Sequence, residues 1–162
     1  MTDTLTGLLN RRGLTERFGR TALGQRSAVI VFDLDHFKDI NDRYGHAAGD
    51  IVLRRFATVI VANTRATDIA SRIGGEEFCV ILQNTGRAGA LAIAERIRKE
   101  LQDQQIVTPQ CDIGVTVSAG IAITTDKGRQ FDALLEEADA ALSIAKSTGR
   151  NRVFNSNIRL VA

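Results

Sequence analysis

Residues 72–78 read Arg-Ile-Gly-Gly-Glu-Glu-Phe, and the apolar run Cys79-Val80-Ile81-Leu82 follows directly. Two glycines between short apolar segments predict a tight β-hairpin that begins near Ile69-Ala70, because Gly-Gly supplies the positive φ that such turns require. The tip of this hairpin carries Glu76 and Glu77. Adjacent carboxylates are costly to hold together unless a positive charge lies between them, so a divalent cation or a proton is their natural partner. A solvated acidic turn would also explain this short stretch taken alone.

A second acidic segment lies upstream. Residues 28–35 read Ala-Val-Ile-Val-Phe-Asp-Leu-Asp, a nearly continuous apolar run that ends in carboxylates. This pattern predicts a buried central strand that delivers Asp33 to its C-terminal edge. If this strand pairs with the hairpin, Asp33 meets Glu76. Oxygen ligands from a strand end and a hairpin tip suit Mg²⁺ better than zinc, and Mg²⁺ in such sites usually accompanies a nucleoside triphosphate.

Length and composition are typical of one soluble domain. The 162 residues suffice for one real core, and the 25% charged and 44% apolar contents are ordinary for a globular protein. The net charge of +2, one Tyr and no Trp give no support to nucleic-acid binding. No apolar stretch approaches the roughly 18 residues that span a bilayer. Cys79 and Cys111 form no CxxC pair, so we expect reduced core thiols and a cytoplasmic domain, although its parent protein could be membrane-anchored.

The signature Gly74-Gly75-Glu76-Glu77-Phe78 resembles that of the GGDEF family, the diguanylate cyclases, in its GGEEF spelling. Other blocks typical of that family occur in the family's order over nearly the whole chain. They are Asp3-x-Leu5-Thr6-Gly7-Leu8-x-Asn10-Arg11, Asp33-x-Asp35-x-Phe37-Lys38-x-Ile40-Asn41-Asp42, Gly45-His46-x-x-Gly49-Asp50, Ser118-x-Gly120-Ile121-Ala122 and Ala145-Lys146-x-x-Gly149-Arg150-Asn151. The combination is far more specific than any one block.

The resemblance implies an α/β fold with a central, mainly antiparallel or mixed five-stranded sheet flanked by helices, related to nucleotidyl cyclase and polymerase palm domains. It also implies that residues 1–162 form a single catalytic domain, the output domain of a longer regulatory protein. The implied reaction condenses two GTP molecules into cyclic di-GMP and two pyrophosphates at the interface of a homodimer. We expect no contact with nucleic acid and no membrane segment within this domain.

The resemblance also assigns roles at the acidic edge. Asp33, Glu76 and the Leu34 carbonyl are expected to hold Mg²⁺, two ions per active site, with Mn²⁺ as a possible substitute. Asp33, Glu76 and Glu77 form the expected catalytic set. The sequence leaves open whether Glu77 assists deprotonation or completes the metal shell.

Substrate contacts follow from the same resemblance. In the family, residues matching Phe37 and Lys38 contact the triphosphate, and those matching Asn41 and Asp50 read the guanine edge. The remaining expected substrate residues are Gly74, Gly75, Lys146 and Arg150. From the residues alone, Lys38 could equally be a solvated surface lysine, and Lys146 and Arg150 could simply favour the negative end of a helix.

The segment Arg65-Ala66-Thr67-Asp68 ends five residues before the signature, where the family has an inhibitory Arg-x-x-Asp site for its cyclic product. Arg96 is the match for a further arginine of that site. A guanidinium can grip phosphate bidentately or stack on a purine. A local ion pair would explain the segment too, and Arg129-Gln130-Phe131-Asp132 carries the same pattern elsewhere.

Hydrophobic periodicity predicts the remaining elements. Helices are expected over about 8–18, 36–43, 86–104 and 131–148 and from about 47, with strands over 111–125 and 152–154. The expected inward faces are Val52, Phe56, Val59, Ile60 and Asn63 in the third helix and Leu91, Ala94, Ile97 and Leu101 in the fourth, with Arg96 and Arg98 exposed. Gly120 should mark a close backbone approach, and Gly149 should terminate the last helix.

Two other functions remain open at this stage. One is a catalytically silent receptor domain that binds GTP or cyclic di-GMP. The other is a nucleotidyl cyclase or polymerase-like enzyme with a different nucleotide preference. Because the glycines and acids of the signature are intact, the sequence favours the GTP-dependent enzyme.

Overall fold

The computed structural model describes residues 1–18, 22–24, 26–124 and 129–156. Five helices occur in these ranges: α1 Arg11–Phe18, α2 Phe37–Tyr44, α3 His46–Ala62, α4 Arg87–Asp103 and α5 Phe131–Ser147. The strands are β1 Leu9–Asn10, β2 Ala22–Leu23, β3 Ala28–Leu34, β4 Ile69–Arg72, β5 Glu77–Leu82, β6 Ile106–Val107, β7 Asp112–Ile113, β8 Val117–Ile123, β9 Arg129–Gln130 and β10 Val153–Asn155. No helix in these ranges is long and apolar enough to cross a membrane.

The central sheet is mixed, and helices cover both of its faces. Its order is β1-β4-β5-β3-β8-β10, with antiparallel pairing from β4 through β8 and a parallel strand at each edge. The predicted fold class is confirmed, but the sheet has six strands rather than five. The extra strand is β1, which was expected to begin a helix. Its Asn10 side chain instead caps α1, since Asn10 Oδ1 accepts a hydrogen bond from Gly13 N at 2.7 Å.

The first core lies between the sheet and helices α2, α3 and α4. Phe56 of α3 lies at its centre and packs edge-to-face on Phe32 and Phe78, with ring centroids 5.6 and 5.0 Å apart. The predicted inward face of α3 is confirmed for Val52, Phe56, Val59 and Ile60, which are all buried. Its fifth residue, Asn63, is instead the half-buried C-cap of the helix. In α4 the prediction for Leu91 is wrong: Leu91 is exposed and Ala90 takes the inward position.

The second core lies on the opposite face, under α1 and α5. Alternate residues of β3 serve the two cores, so β3 is buried along its whole length as its continuous apolar sequence predicted. The Cys79 thiol is fully buried, and burial raises its pKa to about 12. Cys111 is half-buried, and both thiols are free, as expected.

The strand predicted over 111–125 is shorter than expected, and residue 125 lies outside the described residues. Residues 112–113 pair with β6 in a separate ribbon, and the chain enters the central sheet only at Val117. The last helix ends as predicted, with Thr148 as its C-cap and Gly149 at φ 130°.

Gly120 generates a stability prediction. A Cβ added there would lie 2.1 Å from the Ala138 carbonyl oxygen and 2.3 Å from Leu142 N, both backbone atoms of α5. We expect Gly120→Ala to lower the free energy of unfolding by about 2–3 kcal/mol, because β8 and α5 must separate to admit the methyl group. Urea denaturation measures this change.

The matched control is Gly114→Ala, whose Cβ would meet only the Gln105 side-chain amide at 3.4 Å. We expect this variant to unfold within about 0.5 kcal/mol of wild type, as exposed substitutions do. Equal unfolding midpoints for the two variants would show that β8 and α5 are less closely packed than described.

Candidate functional site

The acidic edge forms where β3 pairs with β5. In this register Asp33 lies opposite Glu77, and Phe32 lies opposite Phe78. Leu34 N donates to the Glu76 carbonyl oxygen at 3.2 Å, which ties the hairpin tip to the end of β3. The predicted pairing of the two strands is confirmed, but the residue opposite Asp33 is Glu77 rather than the predicted Glu76. Asp33, Glu76 and Glu77 lie at one edge of the sheet.

The predicted reason for the two glycines is wrong. Among the described glycines only Gly7, Gly45 and Gly149 have positive φ, so Gly74 and Gly75 do not. The hairpin loop has four residues between Arg72 and Glu77 rather than two, and such loops are most often built around turns that need no left-handed residue. A Cβ on Gly75 would meet nothing within 4 Å, so the missing side chain leaves space above the turn.

Arg72 holds this loop, a role that the sequence did not reveal. Its Nε and Nη2 donate to the Gly75 carbonyl oxygen at 3.0 and 2.8 Å, and its Nη1 contacts Asp3 Oδ1 at 3.1 Å. The second Asp3 oxygen accepts hydrogen bonds from Thr6 N and Oγ1. The first sequence block thus supports the signature hairpin through Asp3, which binds Arg72, and through Arg11, whose Nη1 donates to the Ile73 carbonyl oxygen at 3.3 Å. The position of Arg72 beside the signature was the only signal for its role.

Asp33 carries a buried negative charge. The residue is 6% exposed, and Lys146 Nζ lies 2.5 Å from its Oδ2. Burial raises the pKa of Asp33, while Lys146 lowers it and the charges of Glu76 and Asp35 raise it further. Because the pKa remains raised, the lysine does not fully offset the cost of ionising this carboxyl group.

Glu77, like Asp33, has a carboxyl group whose pKa is raised. Burial raises the pKa of its carboxyl group, the charges of Asp33, Asp139 and Glu76 add to the increase, and Lys146 opposes it. The edge therefore holds more negative charge than one ammonium group compensates. A bound divalent cation would lower the free energy of the ionised carboxylates.

The donor set fits a hard cation that also binds substrate. Asp33, Leu34 and Glu76 line one cavity, so two carboxylates and a backbone carbonyl are available together. Within the described ranges no cluster of three or more His, Cys, Asp or Glu side chains is arranged to hold a metal ion. Mg²⁺ in nucleotide sites is usually bound by one or two carboxylates, with water and substrate phosphate oxygens as the other ligands.

Two adjoining cavities bring the expected substrate residues together. The first, of about 230 Å³, contains Asp33, Glu76, Lys146 and Arg150, and the second, of about 320 Å³, contains Asn41, Asp50, Gly75 and Arg72. Both are lined by Phe37, Lys38 and Glu76. Every expected substrate residue except Gly74 lines one of the two cavities, so a charged region lies directly beside a region of polar acceptors.

Helix α2 separates the two regions. Its N-terminus follows His36, which has φ 56° and whose side chain accepts no capping hydrogen bond, and its first residues, Phe37, Lys38 and Asp39, line the charged cavity. The N-terminus of a helix carries unpaired N–H groups and a partial positive charge. Gly49 explains the position of Asn41: a Cβ on Gly49 would lie 1.9 Å from Asn41 Oδ1. The glycine of the Gly49-Asp50 pair thus allows Asn41 to lie against α3 in the same cavity as Asp50.

A third cavity, of about 680 Å³, lies away from the acidic edge between the loop after β5, α4 and the end of α3. Arg65 and Arg96 line it together with Arg26, Arg87 and Asn63. The Asn63 side chain holds Arg96, since Arg96 Nε donates to Asn63 Oδ1 at 2.8 Å. The two predicted arginines of the inhibitory site therefore share one strongly basic cavity.

Asp68 lies behind Arg65 rather than in this cavity. Its side chain is fully buried and pairs with Arg65 at 3.1 Å, and Arg65 also donates to Thr85 Oγ1 at 2.8 Å. The local ion pair considered above exists, and it orients an arginine that lines the cavity. The second Arg-x-x-Asp match behaves differently, because Arg129 pairs with Glu137.

The prediction that Arg98 is exposed is wrong. Its side chain is only 17% exposed, and it pairs with Glu95 and donates to Asn151 Oδ1 at 2.9 Å. Arg96 is exposed as predicted.

Comparisons with known proteins agree with one another. The family model described as "Diguanylate cyclase, GGDEF domain" matches residues 1–152. The chain is 46% identical to Diguanylate cyclase A of Treponema denticola over 133 residues, which cover 82% of this chain and 36% of that protein. It is 42% identical to the response regulator PleD of Caulobacter vibrioides over 160 residues, covering 94% of this chain and 35% of that protein. The chain thus spans about a third of the length of these relatives.

Solved structures show the same fold. The GGDEF domain of DgcB from Caulobacter crescentus, crystallised in complex with c-di-GMP, superposes with a TM-score of 0.87 at 34% identity. The match covers 96% of this chain and 95% of that domain.

The raised pKa of Glu77 predicts how stability depends on pH. An acid whose folded pKa lies above its unfolded value destabilises the fold at pH values above the folded pKa, and this cost disappears below the unfolded pKa. We therefore expect Glu77→Gln to raise the free energy of unfolding of the metal-free protein at pH 7.5, by less than about 1 kcal/mol because water screens the half-buried charge. The gain should vanish below the ordinary pKa of a glutamate.

Chemical denaturation in EDTA at pH 7.5 and at pH 4 measures both values. Glu136→Gln, the same change at an exposed position of α5, should alter neither. A Glu77→Gln variant that is less stable than wild type at pH 7.5 would contradict the electrostatic explanation.

Proposed function

Because the chain belongs to the GGDEF domain family, we propose that it is a diguanylate cyclase that joins two GTP molecules into cyclic di-GMP and releases two pyrophosphates. The observation that carries the proposal is the position of Asp33 and Glu76 in the first of two adjoining cavities, with Glu77 opposite Asp33 in the strand pair. Asn41 and Asp50 line the second cavity. This arrangement suits a nucleotide whose triphosphate and base lie in neighbouring regions.

In the proposed reaction the 3′-hydroxyl of one GTP attacks the α-phosphate of the other. The new bond joins the 3′-oxygen to phosphorus, the bond to the β-phosphate oxygen breaks, and the hydroxyl proton is lost. Asp33, Glu76 and the Leu34 carbonyl would hold Mg²⁺, two ions per site with Mn²⁺ as a substitute. Bound Mg²⁺ activates the hydroxyl and offsets the charge on the leaving pyrophosphate. Glu77 accepts the proton or completes the metal shell.

Lys146 and Arg150 bind the triphosphate in this proposal. The ion pair between Lys146 and Asp33 offsets part of the buried charge before substrate arrives. Lys146 lines the same cavity as Arg150, so its ammonium group would contact phosphate oxygens of a bound triphosphate there. Lys38 and the backbone around Phe37, at the N-terminus of α2, add further donors from the other side.

Asn41 and Asp50 select guanine. A carboxylate accepts hydrogen bonds from the N1 and N2 donors of guanine, whereas adenine presents an acceptor at N1. Because both side chains line the cavity next to the charged one, the base would enter this cavity while its phosphates reach Lys146.

The product requires two such sites to face each other, so we propose that catalysis occurs in a homodimer. The chain would act as the catalytic output domain of a longer regulatory protein, whose other regions would bring two copies together.

The basic cavity supports a second part of the proposal, inhibition by the product. A cyclic dinucleotide carries two phosphates and two purines, and arginines suit both. Arg65 and Arg96 would contact the ligand, while Asp68 would position Arg65. The competing function, a silent receptor for GTP or cyclic di-GMP, would need no intact acidic edge.

Activity tests the catalytic proposal. The purified protein at high concentration, and a version fused to a dimerising coiled coil, are incubated with GTP and Mg²⁺ or with ATP and Mg²⁺. We expect cyclic di-GMP from GTP and no cyclic product from ATP, as read by mass spectrometry. Glu77→Gln should lower the rate by about 10²- to 10⁴-fold, as expected for a lost general base.

Glu136→Gln provides the matched control, because it makes the same change at an exposed position of α5; it should retain wild-type activity. Near-wild-type turnover by Glu77→Gln would contradict the proposal that Glu77 accepts the proton or completes the metal shell. If the forced dimer binds GTP or cyclic di-GMP but makes no product, the receptor function replaces the enzyme.

Binding of cyclic di-GMP tests the inhibitory cavity. We expect Arg65→Ala and Arg96→Ala each to weaken binding by roughly 10-fold or more, because hydrogen bonds to charged groups contribute about 1.5–3 kcal/mol. Isothermal titration calorimetry gives the dissociation constants. Arg96→Ala is the cleaner variant, since it leaves the buried Asp68 paired with Arg65.

Arg129→Ala is the control, because Arg129 begins the same four-residue pattern but pairs with Glu137 instead. It should bind cyclic di-GMP like wild type. Unchanged affinity in both cavity variants would exclude this cavity as the product site.

A further inference from the structure

Asp35 is a buried acid that the proposed mechanism does not use. It directly follows β3, two residues after Asp33, and is 5% exposed. Its Oδ2 accepts hydrogen bonds from Thr116 Oγ1 at 2.7 Å and Asn151 N at 3.0 Å, and its Oδ1 accepts one from Ser118 Oγ at 2.7 Å. The carboxylate of Asp35 therefore accepts hydrogen bonds from Thr116, just before β8, from Ser118 in β8, and from Asn151, after α5. None of these three residues belongs to the signature hairpin.

The segment that Asp35 binds has an unfavourable backbone. Gly149, Arg150 and Asn151 have φ values of 130°, 61° and 48°, three consecutive residues on the positive side. Only glycine adopts such values without cost, and each of the other two residues costs on the order of 1 kcal/mol or more. A turn of this kind persists only where surrounding contacts hold it.

Several contacts hold this turn, and most converge on Asn151. Its backbone N–H is shared between Asp35 Oδ2 and Ser118 Oγ, at 3.0 and 3.1 Å. Its side-chain Oδ1 accepts a hydrogen bond from Arg98 Nη1 of α4 at 2.9 Å. Arg150 N donates to the Ala145 carbonyl oxygen at 3.0 Å, which closes the end of α5.

The turn determines where Arg150 lies. Arg150 is exposed and lines the charged cavity with Asp33 and Lys146, and its backbone is fixed by its neighbours on both sides. We propose that Asp35 is a positioning residue for the triphosphate: by binding Asn151 N it holds the left-handed turn that presents Arg150 to the substrate. This inference rests on the proposed function, since it assigns the phosphates to the cavity that contains Arg150.

A metal-ligand role for Asp35 is the main alternative, since it lies two residues from Asp33 on the same strand end. The observed contacts favour positioning. A cation at Asp35 would have to displace hydrogen-bond donors from both oxygens, and those donors belong to residues 81 or more positions away in the sequence. The hydroxyl and amide donors already satisfy the buried charge.

A double-mutant cycle tests the proposal. Asp35→Asn, Arg150→Ala and the double variant are compared with wild type for GTP binding by calorimetry in Ca²⁺ and for KM and kcat in Mg²⁺. Asparagine has nearly the same size as aspartate, but its NH₂ group cannot accept the hydrogen bonds that one of the Asp35 oxygens accepts. We expect either single change to weaken GTP binding and raise KM by roughly 10-fold, the loss expected for hydrogen bonds to a charged group.

The double variant should bind GTP within about 2-fold of Arg150→Ala alone, because residues that act through one another are not additive. The Mg²⁺ concentration for half-maximal rate should stay unchanged in Asp35→Asn. Asp112→Asn, the same substitution at an exposed position of β7, should leave binding and rate unchanged.

Ser118→Ala provides a second variant should Asp35→Asn fold poorly, because it removes one donor to Asp35 and one acceptor of Asn151 N. We expect the same rise in KM, to a smaller extent, and faster amide hydrogen exchange at Asn151.

Additive losses in the double variant, or a shifted Mg²⁺ requirement in Asp35→Asn, would overturn the positioning role while leaving the enzyme assignment intact. A wild-type protein that binds no GTP would overturn both together.

Discussion

The pairing register of β3 and β5 is the constraint on which the site depends. A slip of one residue would turn every side chain of the strand to the opposite face, so Asp33 would no longer lie opposite Glu77. Because both faces of β3 are buried, hydrophobicity alone does not select this register, and the specific packing of Phe32 and Phe78 on Phe56, directly beside the acidic residues, favours it. The aromatic core of the first layer thus fixes the geometry of the carboxylates.

This arrangement costs stability at the edge where it supports function. Burial and mutual repulsion raise the pKa values of Asp33 and Glu77, and one lysine offsets only part of that cost. The left-handed turn at Arg150 and Asn151 adds backbone strain on the same side of the sheet. Burial of apolar side chains in the two cores stabilises the fold and offsets the cost of both features. Strained or charged sites usually persist only where the surrounding structure is stable enough to hold them.

Much of this fold and site could be predicted from sequence, wherever the signal is local. The apolar run of β3, the hairpin, the stripe of α3 and the end of α5 follow from periodicity and from glycine positions. The failures arise where another strand, distant or nearby in the sequence, offers a pairing that the pattern of one segment does not reveal. Leu9–Asn10 forms a strand because β4 offers an edge, and residues 112–113 leave the predicted strand because β6 binds them. The roles of Asp35 and Arg72 were missed because Asp35 binds Asn151, 116 residues away, and Arg72 binds Asp3, 69 residues away.

Helix α4 connects the remaining parts of the molecule. Residues two apart on a helix project in nearly opposite directions, about 200° around its axis. Arg96 accordingly extends to Asn63 at the basic cavity, while Arg98 extends to Asn151 beside the turn that carries Arg150. The inward face of α4 is fully buried at Ala90, Ala94, Ile97 and Leu101, so the helix is fixed against the sheet between these two contacts. Helix α4 therefore lines the basic cavity directly and reaches the charged cavity through the contact of Arg98 with the turn that carries Arg150.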